Sequence, residues 1–192
     1  MNNIKQAISE IKLVGFDIDG VMSDGGLIFS DSNVDFESKI FNVKDGFAIK
    51  LLQKSNIEIV IITGRKSSCV ENRIIKSLGI KKDFLFQEVA DKKQCLENLQ
   101  KKLEISWKNC AFIGDDWIDL PILMRCGFSA CPADAHNEVK QRVDYICQNN
   151  GGKGAVREFV EIILKNQKTD LYQSILNEYL KLIFKAIKNN KK

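Results

Sequence analysis

Ile57 to Ile62 reads Ile-Glu-Ile-Val-Ile-Ile, apolar at every position but Glu58. A short run of this kind, rich in β-branched residues and without alternation, is a strand buried on both faces. Such strands belong to parallel sheets whose crossovers are helices, so this stretch commits the chain to an α/β architecture. The run stops at Thr63-Gly64-Arg65. Open parallel sheets bind ligands at their strands' carboxyl ends. A hydroxyl, a glycine amide and a guanidinium placed there suit an oxyanion such as phosphate. Taken alone, Thr-Gly-Arg is a short pattern that an ordinary loop also satisfies.

The same abrupt transition recurs twice. Ile11 to Phe16 is a second buried run, ending in Asp17-Ile18-Asp19-Gly20. The strand is finishing and the chain must turn, so both carboxylates can bear on one point. Asp17 would point forward as nucleophile and metal ligand, with Asp19 reaching back as acid/base. A plain Asp-Gly turn has the same local pattern. Asn109 to Ile113 is a third run, followed by Gly114-Asp115-Asp116-Trp117-Ile118-Asp119-Leu120-Pro121. Oxygen ligands from separate strand ends, without histidine, suit Mg²⁺. N-capping by Asp115, Asp116 or Asp119 is also expected, but capping does not call for all three. Pro121 falls early in the next helix, where its missing N–H does no harm.

Between these runs the chain alternates. Gly26 to Glu37 reads as a β-hairpin around Asp31-Ser32-Asn33, inserted between the first strand and the first helix. Leu27, Phe29 and Phe36 would make an exposed edge unless something covers it. Phe41 to Leu52 leads into a helix that Asn42 or Asp45 would cap. A helix over Ser67 to Leu78, closed by Gly79, carries Arg73 two turns in. A short strand at Phe84 to Phe86 precedes a helix from Lys92 to Leu103, whose first-turn lysine is the one placed to reach above the sheet. The remainder reads as a strand at Phe128 to Ala130, a helix after Pro132, an edge strand at Val143 to Ile146, and a helix ending near Lys165. Gly151-Gly152-Lys153-Gly154 resembles a phosphate cradle but lacks the full P-loop pattern. From Leu171, the spacing of Leu171, Ile175, Tyr179, Ile183 and Ile187 marks an amphipathic helix. It would pack on the body or on a neighbouring subunit, with a membrane-surface placement the alternative. The expected division is a catalytic domain over 1–166 and a helical extension over 167–192.

Composition narrows the class. With 192 residues and 44% hydrophobic, one domain with an ordinary core is expected. The net charge of +4 owes much to the lysine-rich stretch from Lys181 to Lys192, too little and too local for a nucleic-acid partner. Six cysteines without a C-x-x-C pair, and a single histidine, argue against zinc. Cysteines spread through apolar stretches fit reduced thiols in a cytoplasmic protein. Met1 to Glu10 lacks the apolar core of a signal peptide, and no run approaches the roughly 20 residues needed for membrane insertion.

Taken in order, D-x-D-G-V-x-S-D-G, a strand ending in T-G-R, a lysine, and G-D-D-x-x-D-x-P resemble the four motifs of the haloacid dehalogenase superfamily of phosphohydrolases. Phe41 to Lys50 and Gly151 to Glu158 are similar to its small, capless branch. That branch includes the 3-deoxy-D-manno-octulosonate 8-phosphate (KDO 8-phosphate) phosphatases and relatives acting on nonulosonate phosphates. The resemblance runs from about Ile11 to Leu164. It implies a Rossmann-like parallel sheet flanked by helices, with a β-hairpin after the first strand and no large cap domain. It implies a Mg²⁺-dependent phosphatase of lipopolysaccharide precursor synthesis that forms an aspartyl-phosphate. Catalysis would rest on Asp17, Asp19, Thr63 and Lys92. Metal would be held by Asp17, the Asp19 carbonyl and Asp115, with Asp116 and Asp119 orienting them. Substrate would meet Asp19, Asn42, Val43, Lys44, Asp45, Gly46, Lys50, Gly64, Arg65, Arg73 and Lys92, with Arg157 a weaker candidate. A homotetramer is implied, in which the hairpin closes a neighbour's site.

The chain departs from the family at several points. Lysine stands at Lys44, Lys50 and Lys153 where members often carry arginine, and Glu88 stands where they usually have glycine. Glu88 is expected either to alter the site or to pair with Lys92. The tail beyond Gln167 is longer than usual. Competing readings are a nonulosonate 9-phosphate phosphatase and a non-catalytic assembly or regulatory domain. The intact Asp17, Asp19, Thr63, Lys92 and Asp115 set argues against the latter. A phosphotransferase would want the large cap that this chain lacks.

Overall fold

The computed structural model describes residues 2–30, 33–167 and 169–189. Its strands are β1 (Leu13–Phe16), β2 (Ile28–Ser30), β3 (Asn33–Ser38), β4 (Glu58–Ile62), β5 (Leu85–Phe86), β6 (Cys110–Ile113), β7 (Phe128–Cys131) and β8 (Tyr145–Ile146). Its α-helices are α1 (Asn2–Ser9), α2 (Val43–Leu52), α3 (Ser68–Glu71), α4 (Lys92–Leu103), α5 (Leu120–Leu123), α6 (Asn137–Lys140), α7 (Ala155–Lys165) and α8 (Leu171–Asn189).

Six strands form one parallel sheet in the order β5-β4-β1-β6-β7-β8. The two neighbours of β1 are β4 and β6, so the strand order reverses at β1, where open α/β sheets place their ligands. Alternation along the strands sorts the core into two layers. Val14, Phe16, Ile59 and Ile61 face a layer shared with α2, α7 and Ile175 of α8. Leu13, Val60, Ile62 and Phe112 face a layer shared with α4 and α5. Glu58 begins its strand exposed, which is why a charge is tolerated in that run. Gly15 is bare because a Cβ there would lie 2.4 Å from the Phe112 ring.

The β2–β3 hairpin stands apart as its own two-stranded sheet. Its turn residues Asp31 and Ser32, and the Phe36 side chain, lie outside the described residues. Phe29 is exposed, with Leu27 partly so. Two differences from the sequence expectations are local. The segment expected as one helix from Ser67 to Leu78 starts as α3 and widens into a π-helical turn over Asn72–Ser77 before Gly79, at φ +76°, closes it. After Pro132 only one turn of helix forms, as α6. α1 has no counterpart in the sequence expectations; Ile8 is its buried anchor.

The glycine-rich loop is packing rather than a nucleotide cradle. A Cβ on Gly151 would lie 1.8 Å from the Gly20 carbonyl oxygen, and the Gly152 amide donates to Val21 O at 2.9 Å. The loop thus clamps the turn that follows β1. α8 buries Ile175 and sets Tyr179 edge-on to Phe47 at 5.5 Å, while Leu180, Leu182, Ile183 and Phe184 stay exposed. The Ile187 side chain lies outside the described residues. Among the described residues, no helix is long and apolar enough to cross a membrane.

Candidate active site

The three polar strand ends meet at one edge. Pairing of Phe16 with both Ile61 and Ile113 brings Asp17 level with Ile62 and Gly114, with Thr63 one residue beyond on its strand. The Asp17 amide donates to Ile113 O at 3.1 Å, fixing the backbone of the first strand end against the third. Gly20, at φ +87°, turns the chain back. A Cβ there would sit 2.0 Å from Asp115 Oδ2, so the turn needs a residue with neither side chain nor left-handed penalty.

Lys92, the first residue of α4, reaches over the sheet as its position suggests. Its buried Nζ lies 2.8 Å from Asp17 Oδ1 and 2.7 Å from Asp119 Oδ1. Burial would lower its pKa, but the charges of Asp17 and Asp119 outweigh this and raise it. The other Asp119 oxygen accepts the Asp115 and Asp116 amides at 3.0 and 3.3 Å. Asp119 is therefore consumed in holding Lys92 and the acidic loop. Asp116 caps the following turn, accepting from the Trp117 amide at 2.7 Å. Of the three carboxylates, one caps and one orients, leaving Asp115 directed at the Gly20 turn.

The metal expectation can be tested on the donor set. Carboxylate oxygens of Asp17, Asp115 and Asp119 all lie within 4.8 Å of one another. Burial, and then the charge of Asp119, push the Asp17 carboxyl up to about 7, against the pull of Lys92. Burial, then Asp17 and Asp119, push Asp115 up to about 8. Three carboxylates against one ammonium leave an excess of negative charge in a desolvated place. A hard divalent cation with oxygen ligands offsets that excess, so the residues fit Mg²⁺.

Thr63 is buried, its Oγ1 accepting the Arg65 amide at 3.4 Å, with the Gly64 amide beside it. Arg65 reaches back to the hairpin, with Nη2 2.7 Å from Glu37 Oε2. Burial works against ionisation of Glu37, but Arg65, hydrogen-bonded to it, and the Lys39 ammonium beside it hold its carboxyl down at about 2. Asn42 caps α2, accepting the Lys44 amide at 2.8 Å. Arg73, at the π-helical turn, donates to Asn42 O at 3.4 Å and lies across Gly46, where a Cβ would come within 2.1 Å of Nη2. The start of α2, with exposed Val43 and Lys44, and Arg73 are thus brought together.

Some expected contacts fall elsewhere. Asp45 is buried, and its oxygens accept the Gly154 and Arg157 amides at 3.2 and 2.8 Å, capping α7 across the helix pair. Lys50 lies in the last turn of α2, about 10 Å along the axis from the helix start and away from the strand ends. Lys50 is therefore a correction: the helix carries it down the side of the sheet. Arg157 pairs with Glu161 and lies over the Phe47 ring. Glu88 pairs with Lys66 at 3.2 Å, which corrects the expected pairing with Lys92. Its φ of +58° explains why glycine suits that position. The residue that sequence reasoning missed is Lys39, whose Nζ meets Asp19 at 2.5 Å. Its nearest signal is its place at the hairpin exit, which says nothing of its partner.

A parallel sheet with Asp17 at its switch point, Lys92 upon that carboxylate and two further carboxylates beside it is the arrangement expected of a haloacid dehalogenase-like hydrolase. The family model of that description matches residues 83–160. The 3-deoxy-D-manno-octulosonate 8-phosphate phosphatase of Salmonella typhi is 44% identical over 157 residues, 82% of this chain and 81% of that one. The Yersinia pestis enzyme of the same name is 40% identical over 166 residues, 86% of each chain. A Moraxella catarrhalis 3-deoxy-D-manno-octulosonate 8-phosphate phosphatase, crystallised with magnesium ion, phosphate ion and KDO, superposes with a TM-score of 0.86 at 38% identity, covering 93% of this chain and 99% of that one. The chain belongs to the 3-deoxy-D-manno-octulosonate 8-phosphate phosphatase family.

Proposed function

We propose that this chain is a Mg²⁺-dependent phosphatase that hydrolyses KDO 8-phosphate to KDO and phosphate, in lipopolysaccharide precursor synthesis. The observation that carries the reading is the buried Lys92 spanning Asp17 and Asp119, with Asp115 converging on the same point. Asp17 attacks phosphorus to form an aspartyl-phosphate. Asp19 protonates the departing alkoxide and then takes the proton of the water that cleaves the intermediate. Thr63, the Gly64 amide and Lys92 bind phosphoryl oxygens as charge redistributes. Asp17, Asp115 and the Asp19 carbonyl would hold Mg²⁺, which when bound screens the repulsion between an anionic nucleophile and an anionic substrate. The start of α2, Arg65 and Arg73 contact the sugar acid. The catalytic unit is 1–166, with 167–192 an appended helix, and the six unpaired cysteines suit a reducing cytoplasm.

The direct test is phosphate release across sugar-acid phosphates. KDO 8-phosphate is expected to be preferred over nine-carbon analogues, and chelation to stop turnover. Preference for a nine-carbon substrate, or turnover in chelator, would overturn the reading. We read the assembly as a homotetramer, because exposed Ile28, Phe29, Ile40 and Trp117 crowd the hairpin and the acidic loop. A monomer by light scattering would sink that part.

The carboxylates also set a pH dependence. Burial, and then the neighbouring carboxylates, push Asp17 up to about 7 and Asp115 up to about 8, against 3.8 for the ordinary group. The folded state therefore holds more protons than the unfolded state across that window, and the metal-free protein loses stability as pH rises through it. Mg²⁺ binds the ionised form, so its stabilisation grows over the same window. The melting temperature gain from Mg²⁺ should be on the order of 5 °C larger at pH 8 than at pH 5.5. A gain independent of pH in scanning fluorimetry would refute the cation site.

A further inference from the structure

The hairpin delivers to the site a cation that the reaction scheme above does not use. The Lys39 side chain is wholly buried, with Nζ 2.5 Å from Asp19 Oδ1 and 3.0 Å from Glu37 Oε1. Glu37 in turn holds Arg65 through its other oxygen at 2.7 Å. Asp19, Lys39, Glu37 and Arg65 thus alternate in sign, from the turn after β1 to the loop after β4. Burying an ammonium is costly unless carboxylates compensate it, and these two do.

The two oxygens of Asp19 are unlike. Oδ1 accepts from Lys39 and, at 3.4 Å, from the Ser23 hydroxyl. Oδ2 is buried and has no hydrogen-bond partner among the described residues. A carboxylate anchored through one oxygen cannot rotate without losing the ion pair, so the Asp19 side chain keeps a single orientation. Glu37 fixes the lysine in turn, being itself held between Lys39 and Arg65.

We infer that Lys39 is a positioning residue: by binding Oδ1 it holds the Asp19 carboxyl in the orientation from which it exchanges a proton with the leaving alkoxide. The inference rests on the phosphatase reading. In that step an Asp17 oxygen bonds to phosphorus while the phosphorus–alkoxide bond breaks. Asp19, having taken a proton from solvent, passes it to the departing oxygen and returns to the ionised form that Lys39 binds.

Proton delivery matters for a poor leaving group and little for a good one. The test is steady-state kinetics of Lys39→Met on KDO 8-phosphate, a primary alkyl ester, and on p-nitrophenyl phosphate. For the alkyl ester, kcat/KM is expected to fall about 10- to 100-fold, with the loss in kcat. For the aryl ester, kcat/KM should stay within about threefold, which also certifies the fold. Lys39→Arg should restore most of the alkyl activity, and in an Asp19→Asn background Lys39→Met should add nothing. Should Lys39→Met not fold, Glu37→Gln, which loosens the lysine, should show the same discrimination at smaller size. Equal losses on both esters, a change confined to KM, or multiplying losses in the double variant would overturn the inference. A wild-type enzyme that hydrolyses neither ester would overturn the phosphatase reading itself, and the inference with it.

Discussion

Asp17→Asn should cut phosphate release by at least about 10⁴-fold while leaving the fold intact, the scale of losing a covalent nucleophile. The amide is nearly isosteric, so its carbonyl oxygen can keep the contact that Asp17 Oδ1 makes with Lys92 at 2.8 Å. Lys92 also keeps Asp119. What is lost is an oxygen nucleophile able to bond to phosphorus. Because Asp17 is one of three clustered carboxylates, its neutralisation relieves repulsion in the metal-free protein. Its melting temperature at pH 8 should therefore match or exceed that of the wild type. Retained turnover would refute the covalent mechanism, whereas a collapsed melting transition would mean that Asp17 is chiefly structural.

Lys92→Met should be the most damaging change to stability. The lysine is buried with both partners buried beside it. Removing one partner of a buried ion pair leaves an uncompensated charge, at a cost of about 3–5 kcal/mol. Methionine fills a similar volume, so little of that cost is cavity. The pKa of Lys92 is raised by the fold, so its stabilisation is fully present below the unfolded lysine pKa and is lost only in strong alkali. Burial and Asp119 push its partner Asp17 up, and losing Lys92, which pulls it down, pushes it further, so protonation at lower pH removes one of the charges left bare. Denaturant unfolding without metal should therefore show the largest loss near pH 8, less near pH 5, and a partial recovery with Mg²⁺. A loss under about 1 kcal/mol at pH 8 would mean that the lysine is not compensating the cluster. Phosphate release should fall about 10²- to 10³-fold, the scale of losing a preorganised donor to a developing charge.

Several elements were legible because they are local in origin. The run from Ile57 to Ile62 became the inner strand β4, and the first-turn lysine of the fourth helix proved to be the one over the sheet. Capping chemistry was also readable, although only the structure shows that Asn42 caps its own helix while Asp45 caps α7. What the sequence does not encode locally is a partner. Glu88 near Lys92 in the chain looked like a pair, yet a left-handed backbone turns it to Lys66. Lys50 follows the start of α2 by two turns, and the helix carries it off the site.

The sequence by itself determined a parallel α/β sheet, three polar strand ends and an all-oxygen acidic cluster. Strand burial and turn chemistry are set by residues within a few positions of one another, and the strand ends follow from them. Only the tertiary structure decided which carboxylate faces what. Asp119 is spent on Lys92 and two amides, Asp115 meets the Gly20 turn, and Lys39 crosses from the hairpin to Asp19. Those pairings depend on the strand order and on how far a side chain reaches across it, and neither is written in any single stretch of the chain.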